Sequence, residues 1–228
     1  MTKTRVISYS DEPFQNREQA GKLLAQELAD FQDKEAVVLG IPRGGIVVAK
    51  SLAQELRADL DIIISRKLGA PGQSELAIGA LAENGEIFIN QNVVSELSVS
   101  DSYIEQEKER QQGEIKRRSQ LIRGVLPRVP LAERLVVITD DGVATGATMQ
   151  AAVWAVRREK PGKLIAAIPV ASEEAVTNLA GDVDELLCLR MPPNFFAVGQ
   201  FYRRFSQVTD EEVLEILKIE QTRRTRNK

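Results

Sequence analysis

From Leu135 onward the chain repeats one pattern: a short apolar run, a polar loop, then residues spaced as on a helix. Leu135 to Thr139 reads as a strand, Thr148 to Arg158 as a helix and Lys163 to Val170 as a strand. Ser172 to Leu179 follows as a helix, with Glu173 and Glu174 suited to its first turn, and Asp184 to Leu189 closes as a strand. The first half carries the same alternation. Leu23, Leu24, Leu28 and Phe31 make an apolar stripe on a helix from Gln19 to Phe31, followed by a strand, Ala36 to Ile41. A helix from Ile46 to Leu56 and a strand from Asp61 to Ser65 come next. Strands alternating with helices predict an α/β fold: a mostly parallel sheet with helices on both faces, one domain over residues 1–228.

Three segments stand outside that pattern. Leu76 to Ala82 and Glu86 to Ile89 flank Glu83-Asn84-Gly85 and predict a hairpin outside the main sheet. Residues 100–125 form a charged insertion, DSYIEQEKERQQGEIKRRSQLIR, expected as a mostly solvated helix interrupted or weakened at Gly113. Pro127 and Pro130 mark its boundary, and the basic tail QTRRTRNK is expected to fray.

Composition removes several chemistries. The chain has no histidine, which excludes Ser-His-Asp and Cys-His catalysis and the usual zinc sites. Cys188 is the single cysteine, read as a buried thiol, so no intramolecular disulfide forms and a cytoplasmic setting is expected. A net charge of -3, from 30 basic and 33 acidic residues, argues against a nucleic-acid partner. The first residues lack the apolar core of a signal peptide, and no stretch approaches the roughly 20 apolar residues that span a bilayer. No membrane association is expected.

In an open parallel sheet the ligand lies beyond the carboxyl ends of the strands. That rule points to Gly40 to Gly45, Arg66 to Glu75 and Asp140 to Thr148. In LVVITDDGVATGAT, Leu135 to Thr148, a buried strand ends in two carboxylates and a loop of small and hydroxyl residues. Backbone N–H groups there suit a phosphate, and the acids suit a polyol. The plainer reading is a turn whose acids cap the next helix, although one acid would serve for that.

Those residues resemble the phosphoribosyl-pyrophosphate (PRPP) signature of type I phosphoribosyltransferases. The resemblance implies that Asp140 and Asp141 bind the ribose hydroxyls, directly or through magnesium. It places the 5-phosphate on the loop Gly142, Val143, Ala144, Thr145, Gly146, Ala147 and Thr148. GIPRGG resembles the family's pyrophosphate loop, giving that role to Pro42, Arg43, Gly44 and Gly45. Arg66-Lys67, which alone could be an exposed basic pair, is similar to the Arg-Lys pair of adenine and orotate phosphoribosyltransferases and is expected to stabilise the leaving pyrophosphate. Gly69, Pro71 and Gly72 would then lie in a flexible catalytic loop.

Residues 190–208 concentrate aromatics, and Phe195, Phe196 and Tyr202 are expected either in a hood over the acceptor or in a satellite core or dimer contact. PRGG, RKLGAPG, ELAIGA and AVGQFY resemble a bacterial group of predicted phosphoribosyltransferases of unassigned substrate. Enzymes for 6-oxopurines usually carry Asp at the position of Ala144, so that acceptor class is disfavoured; Glu75 and Glu83 are the candidate general acids, with a surface role as the default. The implied reaction is magnesium-dependent transfer from PRPP to a nitrogen acceptor by an enzyme that is often a dimer. The alternative is a non-catalytic PRPP-binding regulator. A P-loop nucleotidase is excluded, since G-x-x-x-x-G-K-[ST] is absent.

Overall fold

The computed structural model describes residues 2–226, apart from the side chain of Glu75. Its main sheet has six parallel strands in the order β1 (Lys3–Ser8), β9 (Glu185–Arg190), β8 (Lys163–Val170), β7 (Leu135–Thr139), β2 (Val37–Gly40) and β3 (Asp59–Ile62). Alternate residues of each strand face opposite sides. Val38, Leu60, Val137, Ile165 and Leu187 pack on the side of α1 (Arg17–Glu27) and α2 (Gly45–Leu56). Val37, Leu39, Val136, Ile138, Leu164 and Cys188 face α5 (Ala147–Arg158) and α6 (Glu173–Ala180). Burial on both faces is why these strands read as unbroken apolar runs rather than alternating ones. It also pushes the Cys188 thiol up to about 12.

Crossover through α2 carries the chain from β2 outward to β3, whereas α5 and α6 carry it from β7 the other way, to β8 and β9. The direction of winding therefore reverses between β2 and β7.

A second sheet is antiparallel: β4 (Ser65–Ala70), β5 (Gln73–Ala82) and β6 (Ile87–Ile89). The β5–β6 hairpin turns where the sequence predicts it. Its small residues Ala77 and Ala80 pack on Ala147, Ala151 and Trp154 of α5, and Phe88 meets the Trp154 ring at 4.4 Å. The short α3 (Gln91–Glu96) leads to α4 (Asp101–Arg123), the predicted charged helix.

Several expectations are corrected. The third sheet strand ends at Ile62, and Ser65 already belongs to β4, so Arg66 and Lys67 sit inside an antiparallel ladder opposite Leu81 and Ala80. Gly69, Pro71 and Gly72 belong to the β4–β5 hairpin, with Ala70 paired to Gln73. α4 runs through Gly113 without interruption because its ends are held: Ser100 caps it and Arg123 is anchored at the other end. The basic tail is helical in α7 (Asp210–Arg226), with residues 227–228 outside the described chain. Glu220 of α7 accepts from the Leu60 N–H, and Arg223 and Arg224 donate to the carbonyls of Ala58 and Leu60. These side chains satisfy the open edge of β3, so the tail is docked rather than frayed. Among the described residues no helix is long and apolar enough to cross a membrane.

Candidate active site at the sheet reversal

β2 and β7 end level, Gly40 beside Thr139, so two loops leave the sheet at one depth. One enters α2 and the other α5. The loops touch. A Cβ on Gly44 would lie 1.9 Å from Asp141 Oδ2, and one on Gly45 would lie 2.8 Å from the Asp140 Cα. No side chain fits at either place, which is the physical reason for two glycines after Arg43. The Pro42–Arg43 peptide is cis and the Arg43 side chain is exposed.

Asp140 accepts the Asp141 N–H on Oδ1 at 2.8 Å. Burial and then the adjacent Asp141 charge hold the Asp140 carboxyl well above its ordinary range. Among the described residues no N–H or hydroxyl of another residue donates to Asp140 Oδ2 or Asp141 Oδ1, and the two carboxyl groups lie against each other. Beyond the acids the loop is pinned to the end of β8. Val143 donates to the Val170 carbonyl at 2.9 Å, and Ser172 donates to Val143 O through its N–H (3.1 Å) and to Ala144 O through its hydroxyl (2.5 Å). Gly146, at φ 87°, turns the chain into α5. The N–H groups of Ala144, Thr145, Gly146, Ala147 and Thr148 find no acceptor among the described residues, nor do those of Gly44 and Gly45. Two helix N-termini thus present unused donors on either side of two carboxylates.

The sequence matches the Phosphoribosyl transferase domain family over residues 14–205. This chain belongs to that family. It is 43% identical over 204 residues to two Mycobacterium tuberculosis proteins named Putative phosphoribosyl transferase MT0597 and Putative phosphoribosyl transferase Rv0571c. The match covers 90% of this chain and 46% of each relative, so the chain spans about half their length. The crystal structure of TT1426 from Thermus thermophilus superimposes with a TM-score of 0.86 at 43% identity, covering 91% of this chain and 98% of that one.

Within this phosphoribosyltransferase fold, Arg17 meets the acid pair, a contact not expected from sequence. Its Nε donates to Asp141 Oδ2 at 2.8 Å and its Nη1 to Ser206 O at 2.9 Å, with 7% of the residue exposed. One signal was available. A cation at the first position of a helix opposes the helix dipole, so Arg17 directly after the Asn16 cap needs another reason to be there.

The aromatic segment differs from an open hood. Arg17 lies over the Phe205 ring at 3.9 Å, Phe205 stacks on Tyr202 at 5.1 Å, and Tyr202 meets Phe14 at 5.4 Å, with Arg190 over Phe14. Tyr202 is 6% exposed and donates its hydroxyl to Asp141 O at 2.5 Å. It is therefore not a free stacking face: its ring is core and its hydroxyl anchors the acid loop. Phe195 is half-buried against Phe201, while Phe196 is 86% exposed.

Arg66 faces α4. Its Nη2 pairs with Glu114 at 3.2 Å, and Arg117 and Arg118 share that carboxylate and hold it down to about 2. Arg117 and Arg118 line a crevice with Arg43. The Glu83 side chain is not exposed. Burial opposes its charge, but hydrogen bonds from Arg123 and Ser119 outweigh burial and hold the carboxyl below its ordinary range. The other candidate acid, the Glu75 side chain, lies outside the described residues.

Proposed function

We propose that this chain transfers the 5-phosphoribosyl group of PRPP to a nitrogen acceptor, a nucleobase or similar heterocycle, with release of pyrophosphate. The observation that carries this reading is the pair Asp140/Asp141 set between two helix N-termini whose N–H groups are unused. One cradle, Ala144 to Thr148, takes the 5-phosphate; the other, Arg43 to Gly45, takes the pyrophosphate. The carboxylate oxygens between them accept the ribose hydroxyls. Arg66 and Lys67 reach the leaving group once Arg66 exchanges Glu114 for phosphate, a trade of one anion for a more highly charged one.

The donor set also fits magnesium, which is commonly held by one or two carboxylates together with substrate phosphates rather than by an all-protein cage. Asp140 and Asp141 would hold it. When bound, the ion supplies charge neutralisation on the leaving pyrophosphate. The departure of pyrophosphate leaves oxocarbenium character at ribose C1, the same electronic demand as in glycoside cleavage.

The test is pyrophosphate release from PRPP and magnesium across a panel of bases and amines, with Asp140→Asn/Asp141→Asn alongside. Release that requires one acceptor and is lost in the double variant supports the transferase. Calorimetric binding of PRPP with no release would support the regulatory alternative, and absence of binding would reject the site.

A further inference from the structure

Asp141 is held at three atoms. Its N–H donates to Asp140 Oδ1, its carbonyl accepts from Tyr202 Oη, and its Oδ2 accepts from Arg17 Nε. Arg17 is in turn fixed by Ser206 O and by the Phe205 ring, and Phe205 stacks on Tyr202. Three distant stretches of chain, the start of α1, the β7–α5 loop and the segment after β9, thus converge on one carboxylate. Resting on the PRPP reading above, we propose that Arg17 is a positioning residue of the donor site, with Tyr202 and Phe205 as its frame.

The physical need follows from the pair itself. Two adjacent carboxylates at a sheet end repel each other. A buried cation on one oxygen of Asp141 offsets part of that repulsion. It also fixes the rotamer, so that Oδ1 rather than Oδ2 is the oxygen left for a ribose hydroxyl or a cation. Gly44 makes the contact selective: its Cα side lies against both Asp141 Oδ2 and Arg17 Nε, and a Cβ there would sit 3.0 Å from that nitrogen. The pyrophosphate loop, the acid and the arginine therefore form one packed unit. Arg17 touches neither donor nor acceptor; it acts through Asp141.

The test is a double-variant cycle read by calorimetry of PRPP with magnesium: wild type, Arg17→Gln, Asp141→Asn and the combination, with Arg17→Lys as the conservative variant. Arg17→Gln is expected to weaken binding by about tenfold or more, and Arg17→Lys to restore most of it. In the Asp141→Asn background, removing Arg17 is expected to cost less than about twofold, since its target is gone. Tyr202→Phe, which loses only the hydroxyl, is expected to weaken binding by a few-fold while keeping the fold, and supports the same conclusion should Arg17→Gln not fold. An equal loss in both backgrounds would show a merely structural arginine and overturn the proposal. Tighter binding in Arg17→Gln would overturn it as well, making the ion pair a latch that competes with the donor. If the wild type binds no PRPP, the site reading itself fails; binding with an additive cycle sinks the positioning role alone.

Discussion

The six-stranded sheet and the three-stranded sheet meet along α5, and their charges are arranged in opposite ways. At the reversal between β2 and β7 two carboxylates are crowded together with one cation, Arg17, and Asp140 is left in a setting that disfavours its charge. In the hairpin region the buried carboxylates Asp61 and Glu83 are matched. Arg123 at the end of α4 spans Asp61 of β3 and Glu83 of the β5–β6 turn, while Glu114 gathers Arg66, Arg117 and Arg118. The first region is stable in spite of its charges, carried by the apolar faces on either side of the sheet. The second packs alanines against Trp154 and Phe88 on one face and Leu68, Ile78 and Leu81 against Ile115 and Ile122 on the other, and ion pairs also join it to the body. Uncompensated charge accompanies the proposed ligand site; compensated charge accompanies a structural joint.

The largest expected effect lies at that joint. Arg123→Met leaves Asp61 and Glu83 buried without their cation, and stability measured by urea denaturation should fall by about 3–5 kcal/mol. A loss under ~1 kcal/mol would mean that the joint does not depend on charge and would erase the contrast. Crowding at the reversal is tested by Gly45→Ala, whose Cβ would press on the Asp140 backbone; a cost of about 1–3 kcal/mol is expected by the same method.

Acid titration separates the regions by sign. Glu83 has a folded value below its ordinary 4.5, so it binds a proton less readily in the folded state. Its contribution is complete above the unfolded value and is lost as pH falls through the folded one. Asp140 has a folded value above its ordinary 3.8, so its ionisation opposes folding, and that cost is relieved on acidification. Accordingly, Glu83→Gln is expected to lower the stability at pH 7 by about 1–3 kcal/mol, whereas Asp140→Asn should raise it by about 0.5–2 kcal/mol while abolishing turnover. Thermal melts at pH 7 and pH 4 check both, and the difference from wild type should shrink at the lower pH in each case. If both variants shift stability in one direction, the two regions do not differ as described.

The smallest effect is a gain. Gly113 sits inside α4 with nothing within 4 Å of a Cβ placed on it, so Gly113→Ala should stabilise by about 0.5–1 kcal/mol without touching the site. A loss would indicate that α4 bends or unwinds there, as the sequence suggested.

Much of the site is legible in consecutive residues. Leu135 to Thr148 shows its strand, acids and loop in one stretch, and local chemistry decides what a strand end followed by small residues can do. PRGG is legible for the same reason, although the sequence does not say that its glycines exist to let Asp140 and Asp141 approach. Arg17, Tyr202 and Phe205 were not legible as partners of Asp141, since they lie 124, 61 and 64 positions away from it. An aromatic cluster after the last strand is compatible with a hood or a core, and periodicity cannot separate the two. Glu83 was misplaced because a carboxylate in a turn looks solvated until Arg123 arrives from a distant helix.

The α/β class and the parallel direction of the main strands rest on patterns within a dozen or so residues, and the chain's own order of residues settles them. Packing decided the rest: that the winding reverses between β2 and β7, that Arg66 faces α4, that the basic tail covers the edge of β3, and that a buried arginine from the first helix sets one of the two acids. Those outcomes depend on which charges are brought out of water together. Desolvation is a property of the packed molecule, and no stretch of sequence carries it alone.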